Sequence, residues 1–180
     1  MSEHEGAGLG AICVAVTLTV TDDPPDRPEW VSETIRLIAD GTGDHRAKLL
    51  ALVEQAGDAD LAAGSDDRWG IGQIAVHLLL IERGVTLIAL RLAQGQGPGS
   101  TGQPRPAASA VTRPGISTLA EKAARAWQQL RADFPAQPDT GMLARHPYYG
   151  DLNCFGWLLT LPNHYIAHLR ALERGTSTAI

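Results

Sequence analysis

At 180 residues, with 44% hydrophobic and 19% charged side chains, the chain is long enough for one domain with a proper core and too short for two comfortable ones. That composition excludes a chain disordered throughout. A net charge of −5, with no run of Lys or Arg, excludes a general nucleic-acid binder, which needs a cationic face to displace counterions from phosphates.

Residues 9–20 form an apolar run that alternates Ile12, Val14, Val16, Leu18 and Val20 with Ala11, Cys13, Ala15, Thr17 and Thr19. The period is that of a strand. Glu3 and Glu5 precede it where a secretory signal carries positive charge, and it is well short of the roughly 20 residues that span a membrane. No second strand follows to pair with it, so residues 1–28 are expected to form an irregular arm, or a strand that pairs with another chain. Gly6, Gly8 and Gly10 do not make a nucleotide-binding loop, because they precede the strand-like run instead of following a strand and opening a helix. Cys13 and Cys154 lie far apart and build no disulfide framework; reduced thiols in a cytoplasmic protein are the simplest reading.

Pro24, Pro25 and Pro28 break the chain ahead of the first helix. The spacing predicts that helix over about residues 30–56, with Ile35, Ile38, His45, Leu49 and Leu52 on one side. Gly41 and Gly43 weaken its middle by about 1 kcal/mol each, so a break or kink is expected there. A second helix over about residues 70–93 carries Ile71, Ile74, His77, Ile81 and Ile88, and Asp66 or Asp67 can cap it. A third, over about 116–134, aligns Leu119, Ala123, Trp127 and Leu130. A fourth, over about 152–174, puts Trp157, Leu161, His164, His168 and Leu172 on one stripe. The linker 94–115, rich in Gly, Pro and Ser, is long for a small domain, so it is functional, disordered or a crossover. Read as a crossover, it makes helices two and three parallel in an up-down-down-up four-helix bundle spanning residues 29–176.

His164 and His168 stand one helical turn apart, a spacing that suits two ligands of one metal and equally a hydrogen-bonded pair in a core. His77 adds a third imidazole. At 1.5 Å per residue, His77 and the midpoint of the pair both lie about 10–12 Å from the same end of an antiparallel helix pair. Three protein nitrogens with one open position form the pattern of a catalytic zinc-like site, and imidazole ligation also suits Ni, Co or Fe. The alternative is three separate core histidines.

The segment Asp67-Arg68-Trp69-Gly70-Ile71-Gly72-Gln73-Ile74-Ala75-Val76-His77-Leu78 resembles the second-helix signature of the DinB/YfiT-like superfamily. His146-Pro147-Tyr148-Tyr149-Gly150-Asp151-Leu152, Trp157-Leu158 and His164-Tyr165-Ile166-Ala167-His168-Leu169 resemble its fourth-helix signature. The resemblance covers about residues 30–174 in organisation, and only these blocks are specific. It implies an up-down-down-up bundle, usually a homodimer, with a divalent metal (Zn or Ni foremost) on His77, His164 and His168. It further implies a metal-dependent transferase or isomerase using a low-molecular-weight thiol of the mycothiol or bacillithiol class, or else a non-catalytic metal-binding or stress-response protein.

The remaining candidates read more simply. His45 is a satisfied core histidine or, less simply, a partner of a metal ligand. His146 fixes the chain ahead of the fourth helix. Trp69, Trp127 and Trp157 are core or pocket wall. Tyr165 points about 100° away from His164 and is not counted as a catalytic acid. Cys154 is roughly 15 Å along the helix from His164, too far to ligate. Glu82 is a solvated or interhelical charge. The stretch His164 to His168 lacks the Glu of a metallopeptidase helix, and no Gly-x-Ser-x-Gly elbow or phosphate-cradling loop is present.

Overall fold

A computed structural model describes residues 26–175. Apart from its last three residues, the arm expected over 1–28 lies outside them, as does Cys13. Five α-helices and one hairpin follow in order: α1 Glu29–Gln55, α2 Asp58–Ala62, α3 Ile71–Ala93, α4 Arg113–Asp133, β1 Ala144–His146, β2 Gly150–Leu152 and α5 Cys154–Glu173. The four long helices occupy the stretches that the periodicity predicts.

Which ends meet gives the topology. The end of α3 meets the end of α4, where Asp139 N donates to Ala93 O at 2.9 Å and Gln94 Nε2 donates to Asp133 O at 3.3 Å. These two helices are therefore parallel, and the linker between them must run back along the bundle. Pro104 and Pro106, midway along it, accept hydrogen bonds from His77 and Gln73 near the start of α3. Helices α1 and α5 run the other way. The early residues of both pack with Ile88 and Leu92, and their late residues with Ile74 and Leu78. The result is an up-down-down-up bundle.

The apolar core divides in two at mid-height. One half gathers Ile35, Leu92, Leu130 and Leu158; the other gathers Leu49, Leu78, Ile116 and Leu169. Burying each such side chain contributes about 1.5–3 kcal/mol relative to exposure. Between the halves three of the long helices turn polar: Thr42 and Arg46 on α1, Glu82 and Thr86 on α3, His164 on α5. Candidate chemistry is thus confined to one level of the bundle.

Two local expectations are corrected, and one element is added that the periodicity does not announce. Helix α1 runs unbroken through Gly41 and Gly43. Burial of Ile38, Ala39 and Leu49 on either side offsets the glycine cost, and buried Thr42 donates to Ile38 O at 2.7 Å. Neither Asp66 nor Asp67 caps α3; the cap is Gly70, whose N–H donates to Gln73 Oε1 at 3.2 Å. Only glycine fits at 70, because a Cβ would stand 1.8 Å from Ala63 O. The chain before α5 is not simply coil. It forms a hairpin pairing Ala144 with Leu152, Arg145 with Asp151 and His146 with Gly150, and Gly150 takes the positive φ of 82°.

Other joints follow ordinary capping rules. Thr112 accepts from Gly115 N at 3.1 Å at the start of α4, and Asn153 accepts from Gly156 N at 3.0 Å at the start of α5. Arg113 reaches across to the C-terminus of α1, donating to Val53 O at 2.8 Å and to Ala56 O. By length and composition α3 could cross a membrane, yet 67% of its most apolar window is buried within the bundle. Its apolarity is that of a helix surrounded by other helices.

Candidate metal centre

Packing α5 antiparallel to α3 at mid-height brings His77, His164 and His168 together. One ring nitrogen from each lies within 4.8 Å of the others. His77 Nε2 and His164 Nε2 are 3.0 Å apart. The ring centroids of His77 lie 5.2 Å from those of both His164 and His168. The sequence expectation of a matched depth therefore holds, and the reading of three separate core histidines does not.

The backbone aims His77. Its Nδ1 lies 2.8 Å from Pro104 O, so the neutral ring donates through Nδ1 and presents the lone pair of Nε2 to the cluster. The linker that crosses the bundle thus fixes this tautomer. Trp69 packs against the same ring at 4.9 Å, as a wall. His168 is 2% exposed, and its Nε2 is buried with no hydrogen-bond partner among the described residues.

Burial holds all three rings neutral. It lowers His77 below its usual range, against the Pro104 hydrogen bond that favours the cation. Burial and the neighbouring imidazoles push His164 down to about 3 and His168 to about 4. Neutral imidazole is the form that ligates a metal. Two nitrogens each bonded at 2.0–2.1 Å to one tetrahedral ion stand about 3.3 Å apart, close to the His77–His164 separation. Together with the orphaned Nε2 of His168, this makes the cluster a good fit for a divalent ion.

One flank of His164 opens into a small cavity of about 50 Å³. Ile81, Val85 and Ile88 of α3, Trp157 of α5, His146 of the hairpin and linker residues 100–104 line it. No Asp, Glu, Lys or Arg is among the lining residues.

The other candidates sort themselves by contact. Glu82 is fully buried and interhelical, which the sequence left open. Its Oε1 accepts from Trp127 Nε1 at 2.8 Å and from Arg46, and its Oε2 accepts from the Tyr165 hydroxyl at 2.6 Å. One carboxylate thereby ties α1, α3, α4 and α5 together. Tyr165 turns away from the histidines as expected; burial, then the Glu82 carboxylate, raise its phenol well above the usual range. Trp127 and Trp157 are core, each with its indole N–H bonded, the latter to Ala144 O at 3.3 Å. His45, expected to be a satisfied core histidine, is half-buried with Nδ1 unpartnered among the described residues. Cys154 is a buried free thiol that burial pushes up to about 11, so it stays protonated near neutrality. His146 is buried in the hairpin, where its Nδ1 accepts from Tyr148 N at 3.2 Å and its ring packs 4.8 Å from that of Trp157.

Fold and site together define a helical bundle with a largely buried three-histidine cluster close enough to hold a metal ion. The family model for the DinB superfamily matches residues 42–172, and the chain belongs to that superfamily. A solved structure described as "Crystal structure of TT2238, a four-helix bundle protein" superposes with a TM-score of 0.59 at 24% identity, covering 78% of this chain and 98% of that one. That likeness bears on the fold alone. Nothing among the curated proteins matches the chain.

Proposed function

We propose that the protein binds a divalent metal, zinc or nickel foremost, through His77, His164 and His168, and uses the position left open beside His164 to bind a low-molecular-weight thiol for transfer or isomerisation. The observation that carries this reading is the meeting of three neutral imidazoles, two buried and that of His164 partly so, one with a nitrogen that has no other partner among the described residues. A bound divalent ion supplies a Lewis-acidic position that lowers the pKa of a thiol and presents its sulfur as a nucleophile.

The chain's own residues do the rest. Pro104 O holds the His77 tautomer, and α3 and α5 fix the ring spacing. Trp157, Ile81 and Val85 make the cavity wall apolar, which strengthens electrostatic interactions within it. The lining holds no carboxylate to act as a general base, such as the Glu of a metallopeptidase helix. A thiol is more acidic than water from the outset and would need no such base beside a metal, which supports thiol chemistry. A homodimer, as the family resemblance implies, in the cytoplasm, as the two far-separated cysteines suggest, is part of the same reading.

Elemental analysis of protein purified without an affinity tag tests the site. The expected result is about one divalent ion per chain, lost in His164→Ala; metal far below that level in wild type, unchanged in the variant, would refute it. A thiol panel with electrophiles, comparing wild type with His77→Ala, tests the chemistry. The absence of metal-dependent turnover in metal-loaded wild type would instead leave a non-catalytic metal-binding protein.

A further inference from the structure

We propose that His146 sets ligand specificity: its Nε2–H is the fixed hydrogen-bond donor of the cavity beside His164, and it selects thiols carrying an oxygen acceptor a few bonds from the sulfur. This rests on the metal–thiol reading above and goes beyond it by naming the group that recognises the organic part of the ligand.

Four observations lead there. His146 and His164 line the same cavity from different elements, the hairpin and α5. The hairpin fixes the proton: Nδ1 accepts from Tyr148 N at 3.2 Å, so a neutral ring carries its hydrogen on Nε2. That Nε2 has no hydrogen-bond partner among the described residues, and it sits on a rigid hairpin, whereas the other polar side chains of the lining are either engaged or carried on the linker 100–104. The Thr160 hydroxyl donates to Trp157 O at 2.7 Å, Ser100 Oγ accepts from Gly102 N at 3.5 Å, and Gln103 Oε1 accepts from the Tyr148 hydroxyl at 3.3 Å. Finally, the ring is clamped. Its centroid lies 4.8 Å from that of Trp157 and 4.9 Å from that of Tyr149, so the direction of the donor is set before any ligand arrives.

The size of the cavity bounds the ligand. About 50 Å³ admits a few non-hydrogen atoms, the sulfur end of a larger molecule or a very small thiol. With no charged side chain in the lining, the acceptor that fits is a neutral hydroxyl or carbonyl oxygen. A carboxylate would lose its hydration with no cationic side chain in the lining to replace it, the charge of the metal being matched by the thiolate sulfur.

Two substitutions separate donation from hairpin structure. His146→Asn keeps an acceptor near the Nδ1 position for Tyr148 N and loses the distal donor. His146→Gln keeps a donor near Nε2 and weakens the bond to the turn. The probes are 2-mercaptoethanol and 1-propanethiol, equal in heavy-atom count and differing by hydroxyl against methyl, titrated into Co²⁺-loaded protein and followed by its visible spectrum. The readout is the ratio of the two affinities. Wild type is expected to favour the hydroxyl thiol about tenfold more than His146→Asn does, as one desolvated hydrogen bond allows. His146→Gln is expected to keep most of that preference despite a lower melting temperature, with Co²⁺ stoichiometry unchanged in both. An unchanged ratio in His146→Asn, or a ratio in His146→Gln no better than in His146→Asn, overturns the assignment while the metal–thiol reading stands. Wild type that takes up no Co²⁺, or whose spectrum neither thiol alters, overturns that reading and this assignment with it.

Discussion

Two polar nodes share the middle of this bundle and obey opposite rules. The Glu82 node is closed: three donors from three other helices converge on one fully buried carboxylate. The histidine node, built on α3 and α5, is open. It joins three groups that repel one another's protonated forms and leaves the Nε2 of His168 unpartnered among the described residues. On α5 the two nodes interleave, with Tyr165 serving the first and His164 and His168 the second. A satisfied buried network rigidifies a core, whereas an unsatisfied one costs stability unless a ligand completes it. The closed node therefore serves the fold, and the open one is where function is to be sought.

The largest expected effect breaks the closed node. Glu82→Ala strands the Arg46 charge, the Trp127 N–H and the Tyr165 hydroxyl, and should cost about 3–5 kcal/mol in urea unfolding. A loss below 1 kcal/mol would show that Glu82 does not hold the helices together.

The next effect concerns acid. His164 and His168 have folded pKa values of about 3 and about 4, below the ordinary 6.5, so between these limits the unfolded chain binds more protons than the folded one. Their contribution to stability is fully present above about pH 6.5 and is lost as pH falls toward 4 and then 3. Metal-free wild type should weaken steeply over that window, and the double variant His164→Leu/His168→Leu should weaken less. Equal pH slopes for the two proteins would contradict the burial of neutral rings.

A smaller effect, opposite in sign to that of Glu82, sharpens the contrast. His168→Leu removes an orphaned buried nitrogen, and should stabilise the metal-free protein by about 1 kcal/mol while abolishing metal uptake. A destabilisation of several kcal/mol would mean that His168 belongs to a closed network after all. The smallest effect is at the surface. Replacing Arg36, paired with Glu33 at 2.7 Å and Asp40 at 2.9 Å on the exposed face of α1, by Ala should leave the chemical-denaturation midpoint nearly unchanged.

The contrast between the nodes also marks what the sequence reveals. The four long helices, their parallel central pair and the level shared by His77, His164 and His168 follow from apolar period, linker length and helical rise, because those signals are local or additive along a helix. The Glu82 node does not follow, since its partners come from three other helices and no spacing connects them. A signal was nonetheless present: the one acid of a mostly apolar helix, set after Leu78, Leu79, Leu80 and Ile81, needs a partner if it is buried. The hairpin at 144–152 was hidden because its strands are three residues each, too short to show alternation. Gly70 as a cap depends on the close approach of Ala63, a tertiary contact.

X-ray absorption at the metal edge of Zn- or Ni-loaded protein tests the open node most directly. The proposed function predicts three imidazole nitrogens at about 2.0–2.1 Å plus at least one non-imidazole ligand, which is replaced by sulfur when a thiol is added. His168→Leu should retain at most two imidazoles. A metal bound chiefly by carboxylates, or an unchanged spectrum in His168→Leu, would contradict a site built from His77, His164 and His168.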